Sequence, residues 1–454
     1  MSINLSFFGG AGTVTGSRYL IQSGEQNILI DCGLFQGLKD LRLRNWAPFP
    51  VSPKSIDALV LTHAHLDHSG YLPAVVRDGY RGSIHCSQAT SDICGILLPD
   101  SAHLLEQDAE YANRRGYSKH KPALPLYTTE DAEKALRKFS AAKFGASTKL
   151  GGDASFTLRR TGHILGASSV SLRTSERTIV FSGDLGRYND ETMLDPEPVE
   201  DADYIVVEST YGNRRHSGEE PRKILGDIIE KTVSRGGTVV IPAFAVGRAQ
   251  TLLYHLERLK AAGRIRNVPI YLNSPMAMDA SEIWCNNHDD QKLEAHECRR
   301  ACAVAHYIRS VEESKALNEN PMPKVIVSAS GMATGGRVLH HIKRFGPDPR
   351  STILFAGYQA AGTRGAAMLA GQDAVKIYGE YVPIRAQIAN LDMLSAHGDA
   401  DEIMRWLANF KRKPKTCFIT HGEPEAAAAL AHRIEGDLGW RCKVPEIMDE
   451  VVLS

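Results

Sequence analysis

The chain has 454 residues, and 53 Lys plus Arg are balanced by 53 Asp plus Glu. That length exceeds one ordinary core and predicts two domains. The zero formal net charge excludes a global basic field, so any nucleic acid must be held by a local groove. Eight cysteines are scattered without a CxxC pair, with Cys298 and Cys302 the closest in spacing. That pattern points to reduced thiols in a cytoplasmic protein rather than to a disulfide framework. The opening MSINLSFFGGAGTVTGS lacks the charged and long apolar regions of a signal peptide. No apolar run reaches membrane-spanning length, so no membrane partner is expected.

The first third reads as short strands. NLSFFGG, SRYLIQS and QNILIDCG are alternating or apolar runs closed by turn residues, and DALVLTHAH is another. Residues 89–115 and 129–143 carry helical spacing, with Thr129 as the expected N-cap before Glu130 and Asp131. SFTLRRTGH, RTIVFSGD and DYIVVEST follow as strands. From about 211 the pattern changes to an apolar strand, a small-residue loop and a helix. GTVVIPAFAVGRAQTLLYHL, VPIYLNSPMAMDASEIW, KVIVSASGMATGGRVLHHI and TILFAGYQAAGTRGAAML all have this order. Such units in series predict a doubly wound parallel sheet with right-handed crossovers. After about 370 short strands return, AVKIYGE and AQIANL, followed by two helices. Asp399 is the expected N-cap of the first and Pro424 the first residue of the second. The organisation expected is a strand-rich domain at 1–210 and 371–454, interrupted by an α/β domain at 211–370.

The densest chemical signal is THAHLDHSG, which holds His63, His65, Asp67 and His68 within six residues. Imidazoles with a carboxylate suit zinc, with iron or manganese as alternatives. His63 and His65 are two apart, so an extended backbone puts both rings on one side. Asp67 and His68, after the turn, would face a second position about 3.5–4 Å away, as in two-metal sites. The strands that follow end at His163, Asp184, Glu208 and His421. A single acid after a strand is more often a turn former. Their shared placement beside a ligand cluster argues for one rim.

In the inserted segment the loops AFAVGR, NSPMAM, SASGMATGGR and YQAAGTRG are rich in small residues. Ser328, Ser330, Gly331, Thr334, Gly335 and Gly336 form the best phosphate cradle, because backbone N–H groups at a helix start attract anions. Arg248, Arg337 and Arg364 follow three of these loops. The plainer explanation is that small residues allow close strand–helix packing.

HAHLDH resembles the HxHxDH motif of the metallo-β-lactamase fold. With Asp31 in ILIDCG, His163 in TGHILGASS, Asp184 in FSGDLG, Glu208 in VVEST, His397 in LSAHGD and His421 in THGE, the whole chain resembles a β-CASP nuclease. That is the branch containing the 73-kDa cleavage and polyadenylation specificity factor subunit and its bacterial and archaeal relatives. The resemblance implies a metallo-β-lactamase αββα sandwich with an inserted doubly wound β-CASP domain, and two zinc ions. His63, His65 and His163 would bind one ion, Asp67, His68 and His421 the other, and Asp184 both. Asp31 would hold a ligand histidine by its outer ring nitrogen. The implied reaction is hydrolysis of single-stranded RNA by in-line attack of a hydroxide between the metals. His397 would be the general acid, Glu208 its orienting partner, and Asp67 is counted with the catalytic residues.

The family places its nucleic acid in the cleft between its two domains, which a neutral chain can line with arginines. The nearest rival is a DNA-processing relative, against which His421 speaks, because such relatives typically lack a histidine there. A glyoxalase II-like thioesterase shares HxHxDH but has no such insertion. A silent RNA-processing scaffold would have lost ligands that this chain retains. The chain ends soon after its last motif, which leans the expectation to an endoribonuclease. No RNA-binding extension precedes the first strand, which leaves recognition weak or supplied by a homodimer.

Overall fold

The computed structural model describes residues 3–116 and 118–454. They form two compact units. One runs up to Arg215 and resumes with His397–Ser454, and the other is His216–Ala396.

Two sheets make the first unit. One contains β1 (Ile3–Gly9), β2 (Arg18–Ser23), β3 (Gln26–Ile30), β4 (Ala58–Val60), β5 (Ile84–Cys86) and β6 (Phe139–Ala141), with β22 (Glu450–Leu453) at its edge. Their order is β22-β1-β2-β3-β4-β5-β6. The second contains β7 (Ser147–Gly151), β8 (Ala154–Arg160), β9 (Ser168–Arg173), β10 (Thr178–Phe181), β11 (Tyr204–Glu208), β20 (Thr416–Thr420) and β21 (Cys442–Lys443), in the order β21-β20-β11-β10-β9-β8-β7. Period-two alternation puts Leu5, Phe7, Ile28 and Ile30 of one sheet against Phe156, Leu172, Phe181 and Phe418 of the other. β4, β5 and β6 pair in parallel, which forces their connections to cross one face of the sheet. Those connections hold helices Leu72–Arg77 and Gln88–Arg115. On the far side, helices Ala400–Leu407 and Pro424–Leu438 bury Ile403, Trp406, Leu407, Leu430 and Ile434 against Val180, Ile205, Val207 and Ile419. The result is an αββα sandwich.

One helix boundary differs from the expectation. Thr128, not Thr129, is the N-cap, because Asp131 at the third helical position accepts from the Thr128 backbone N–H and hydroxyl while Thr128 Oγ1 accepts from Asp131 N. That helix stops at Leu136, and Phe139–Ala141 pairs with β5 as a strand. Asp399 and Pro424 do start their helices, Asp399 through a capping box with Glu402.

The second unit is a wholly parallel sheet of β12 (Val239–Pro242), β13 (Ile270–Leu272), β14 (His306–Tyr307), β15 (Val325–Ser328), β16 (Thr352–Phe355) and β19 (Gln387–Asn390). Its order is β14-β13-β15-β12-β16-β19. Each expected strand–loop–helix unit is present, with helices at Arg248–Ala261, Pro275–Asn286, Val338–Phe345 and Arg364–Leu369. Residues 371–396 belong to this unit rather than to the first. β17 (Ala374–Ile377) and β18 (Glu380–Pro383) form a hairpin, and β19 takes the open edge of β16. Leu391, Met393 and Leu394 then join its core. A short apolar run looks the same whichever sheet it joins, so the pattern at 371 does not mark the exit.

Candidate metal centre

β10, β11 and β20 are parallel neighbours, so their C-terminal ends share one rim. Asp184 lies three residues past β10, Glu208 closes β11, and His421 follows β20 directly. His163 lies in the loop between β8 and β9, and His63 to His68 follow β4. Of the residues expected to end strands, only Glu208 does so. The others stand just beyond, where the backbone is free to turn and aim them.

The HxHxDH loop is clamped by the segment after β3. Cys32 N donates to His68 O at 2.7 Å and Leu34 N to Leu66 O at 2.8 Å. Ser17 N donates to Asp67 O at 2.9 Å. The approach is so close that a Cβ on Gly33 would lie 1.6 Å from Asp67 O. Asp31 and His421 both hold positive φ, 59° and 46°, a conformation that costs a non-glycine residue about 1–3 kcal/mol and is kept only where the surroundings over-determine it. His421 is so fixed. Its N–H donates to Gly10 O, and its carbonyl accepts from Ser209 N and Thr210 Oγ1.

Two donor sets converge. His63, His65, His163 and Asp184 offer ligand atoms all within 4.8 Å of one another, as do Asp67, His68 and His421. In the first set His63 Nε2 and His163 Nε2 stand 3.2 and 3.1 Å from His65 Nδ1. They stand 3.4 and 3.5 Å from Asp184 Oδ2. Four ligands placed tetrahedrally about 2.0–2.1 Å from zinc are themselves about 3.3–3.4 Å apart, so this spacing is that of a metal's coordination shell. Burial, together with the neighbouring imidazoles, holds His63 and His163 well below the usual histidine value, and burial pushes His65 down to about 4. The rings are therefore neutral. Neutral imidazoles and a carboxylate at the mutual spacing of a coordination shell are the donor set that fits a divalent ion.

The surrounding hydrogen bonds set the tautomers. Thr62 Oγ1 donates to Asp31 Oδ2 at 2.9 Å, so it accepts from His63 Nδ1 at 3.1 Å, which leaves His63 Nε2 as a lone pair. Asp31 also accepts from Thr62 N at 2.7 Å and from His68 Nδ1 at 2.7 Å, turning His68 Nε2 to within 3.2 Å of Asp184 Oδ1. Burial disfavours charge on His68, but Asp184 and Asp31 on its two sides outweigh this and raise its pKa well above the ordinary value. Burial raises and the facing histidines lower the carboxyls of Asp184 and Asp67, with the net shift downward for both. His421 Nε2 stands 3.3 Å from Asp67 Oδ2, and Thr210 Oγ1 contacts its Nδ1 at 3.1 Å.

His397 belongs to neither set. Its Nδ1 faces both oxygens of the buried Glu208 at 3.1 and 3.2 Å, while its Nε2 lies 3.9 Å from Asp184 Oδ2. Glu208 is locked by donation from Leu185 N at 2.7 Å and Thr210 N at 3.2 Å. Burial opposes the charged imidazole, yet the Glu208 carboxylate prevails and raises His397 to about 9. Cations in the adjacent sets would oppose that rise. The pair is an imidazole held by a buried carboxylate at the edge of the donor sets.

Three family profiles match the chain: "Metallo-beta-lactamase superfamily" over residues 11–89, "Beta-Casp domain" over 249–368, and "Zn-dependent metallo-hydrolase RNA specificity domain" over 381–445. The chain is 38% identical over 431 residues to Ribonuclease TTHA0252 of Thermus thermophilus, covering 93% of this chain and 94% of that one. This chain belongs to the β-CASP branch of the metallo-β-lactamase superfamily. It is also 29% identical over 469 residues to Transcription termination factor FttA of Methanocaldococcus jannaschii, covering 99% of this chain and 71% of the relative. A solved protein of unknown function from Enterococcus faecalis V583 superposes with a TM-score of 0.51 at 13% identity, over all of both chains, a likeness of fold alone.

In this β-CASP hydrolase two side chains outside the expected set, Thr62 and Thr210, contact ring nitrogens of candidate ligands. Thr62 directly precedes His63 in THAHLDH and Thr210 stands two positions after Glu208 in VVEST, and that proximity was the available signal. The loops of the β-CASP unit serve their own structure in several places. Ser330 Oγ accepts from Thr334 N and Gly335 N at 3.0 and 3.4 Å, and Ser328 Oγ donates to Asn273 O. A Cβ on Gly331 would meet Phe244 N at 2.8 Å, so close packing accounts for that glycine. Arg337 donates to Asn273 Oδ1 and to the carbonyls of Ile308 and Arg309. Arg364 donates to those of Lys376, Ala333 and Thr334, and Arg248 is buried.

Proposed function

We propose that this protein is a zinc-dependent ribonuclease that hydrolyses phosphodiester bonds of single-stranded RNA. The observation that carries the reading is a pair of donor sets meeting at Asp184, with a carboxylate-bound histidine immediately outside them. His63, His65 and His163 would hold one zinc, Asp67, His68 and His421 the other, with Asp184 serving both. Divalent zinc held at these positions would supply Lewis acidity and lower the pKa of water. Asp31 and Thr62 keep His68 and His63 in the tautomers that present Nε2. His397 holds a proton at Nε2 and delivers it to the departing 3′-oxygen, while Glu208 keeps the ring oriented and charged. Products would carry a 3′-hydroxyl and a 5′-phosphate.

RNA rather than DNA is supported by the RNA-specificity profile over 381–445 and by the name of the Thermus relative. The β-CASP loops around Ser330, Gly331, Thr334 and Gly335, with Arg248, Arg337 and Arg364, are assigned to the RNA backbone in the same proposal. Side-by-side turnover of labelled single-stranded RNA, single-stranded DNA and a thioester is the test, with zinc counted per chain. Preference for RNA with two zinc ions supports the reading. A thioester turned over faster than RNA, or a fully folded chain that takes up no zinc, overturns it.

A further inference from the structure

A group of thiols lies in the β-CASP unit, built by two consecutive helices. Cys285 is next to last in helix Pro275–Asn286, and Cys302 is next to last in helix Ala295–Ala303. Their Sγ atoms are 3.3 Å apart, and both residues are half-buried. A disulfide needs about 2.05 Å, so the two sulfurs have roughly 1.2 Å to close. Cys298, one helical turn before Cys302, is fully buried. The segment between the helices is pinned by Gln291, whose Nε2 donates to Trp284 O at 2.5 Å and whose Oε1 lies 3.5 Å from Cys298 Sγ.

The three thiols are not equivalent. Hydrogen bonds from Cys298 and Cys302 pull the Cys285 thiol down to about 4, helped by the nearby His288 and Arg299. The same contacts push Cys298 and Cys302 up, with Glu297 adding to the effect at Cys298 and the Tyr307 hydroxyl opposing it at Cys302. A thiol of lowered pKa that is partly exposed, near Arg299 and in contact with a second partly exposed thiol, has the surroundings of a reactive cysteine with its resolving partner. A buried structural thiol such as Cys94 has none of these features.

We propose that Cys285 and Cys302 are a reversible redox site that reacts with a peroxide and closes to a disulfide joining the two helices. The Cys285 thiolate attacks one peroxide oxygen. The O–O bond breaks, Cys285 becomes a sulfenic acid, and the other oxygen leaves as hydroxide or alkoxide and is protonated. Cys302 then loses its proton and attacks Cys285 Sγ. The S–S bond forms, the S–O bond breaks, and water departs. The two thiols lose the two electrons that the peroxide gains, and a small dithiol reverses the change. The site lies in the β-CASP unit and uses none of the residues assigned to the metal centre.

The test exposes the zinc-loaded full chain to hydrogen peroxide, alkylates the remaining thiols and maps the peptides by mass spectrometry. Oxidation should remove two alkylatable thiols, yield a peptide linked through Cys285 and Cys302, and be undone by dithiothreitol. In Cys302→Ser, checked for native circular dichroism, dimedone should label Cys285. The proposal is overturned if both thiols stay alkylatable while other cysteines oxidise. It is also overturned if the linked peptide joins another pair, if dimedone labels another residue in Cys302→Ser, or if a tightly held soft metal blocks all three thiols.

Discussion

Thr62→Val isolates the tautomer argument. Valine keeps the shape of threonine and removes only the hydroxyl. In the folded protein that hydroxyl donates to Asp31 Oδ2 at 2.9 Å and accepts from His63 Nδ1 at 3.1 Å, in a residue with 1% exposure. Without it, the His63 N–H faces a methyl group, and an unsatisfied buried donor costs about 1–3 kcal/mol. The ring can escape that cost by moving its proton to Nε2, which removes the lone pair that nitrogen offers to the donor set. Either way zinc binding weakens by roughly 10–100-fold, the range seen when a partner behind a ligand histidine is lost. Asp31 still keeps two donors, Thr62 N and His68 Nδ1, so the loss should fall on the His63 side of the centre. Chelator competition read by metal analysis gives the affinity, and urea unfolding of the metal-free chain gives the fold's own stability. Zinc affinity equal to wild type would refute the claim that Thr62 sets the His63 tautomer.

Other outcomes follow from the same geometry. His397→Ala should lower kcat for RNA cleavage by about 10²–10⁴, the usual worth of a general acid, with zinc content unchanged; equal turnover would remove His397 from the acid role. Gly33→Ala places a methyl group 1.6 Å from Asp67 O, so it should destabilise by about 1–3 kcal/mol or more and loosen zinc, measured by urea unfolding and metal analysis. Lys324 is buried under Phe345, its ammonium donating to Asn320 O, and burial lowers its pKa to about 8. Its folded value lies below the unfolded one, so wild-type stability should rise as pH climbs from about 8 toward 10.5. Lys324→Met should remove that rise and add about 1–3 kcal/mol near neutral pH; a melting temperature unchanged by both pH and substitution would contradict this.

Much of this protein is written in local sequence. Period-two strands in the first unit, apolar strands followed by small-residue loops in the second, and caps at Asp399 and Pro424 all depend on residues a few positions apart. HAHLDH is equally local, because its own backbone brings four candidate ligands together. Tertiary structure decided three other matters. β19 joined β16 rather than the first unit, since strand pairing is a choice between edges and a four-residue strand such as QIAN does not encode it. Thr129, the expected cap, instead gives its backbone N–H and hydroxyl to Glu106, 23 positions away, and Thr128 caps the helix. Above all, Asp31, Thr62 and His68 form one hydrogen-bonded chain, and Glu208 meets His397 across 189 positions. Sequence supplies such residues and their chemical types. The distances that aim ligand atoms at one point, or keep an imidazole charged, arise only where parallel strands end on a common rim.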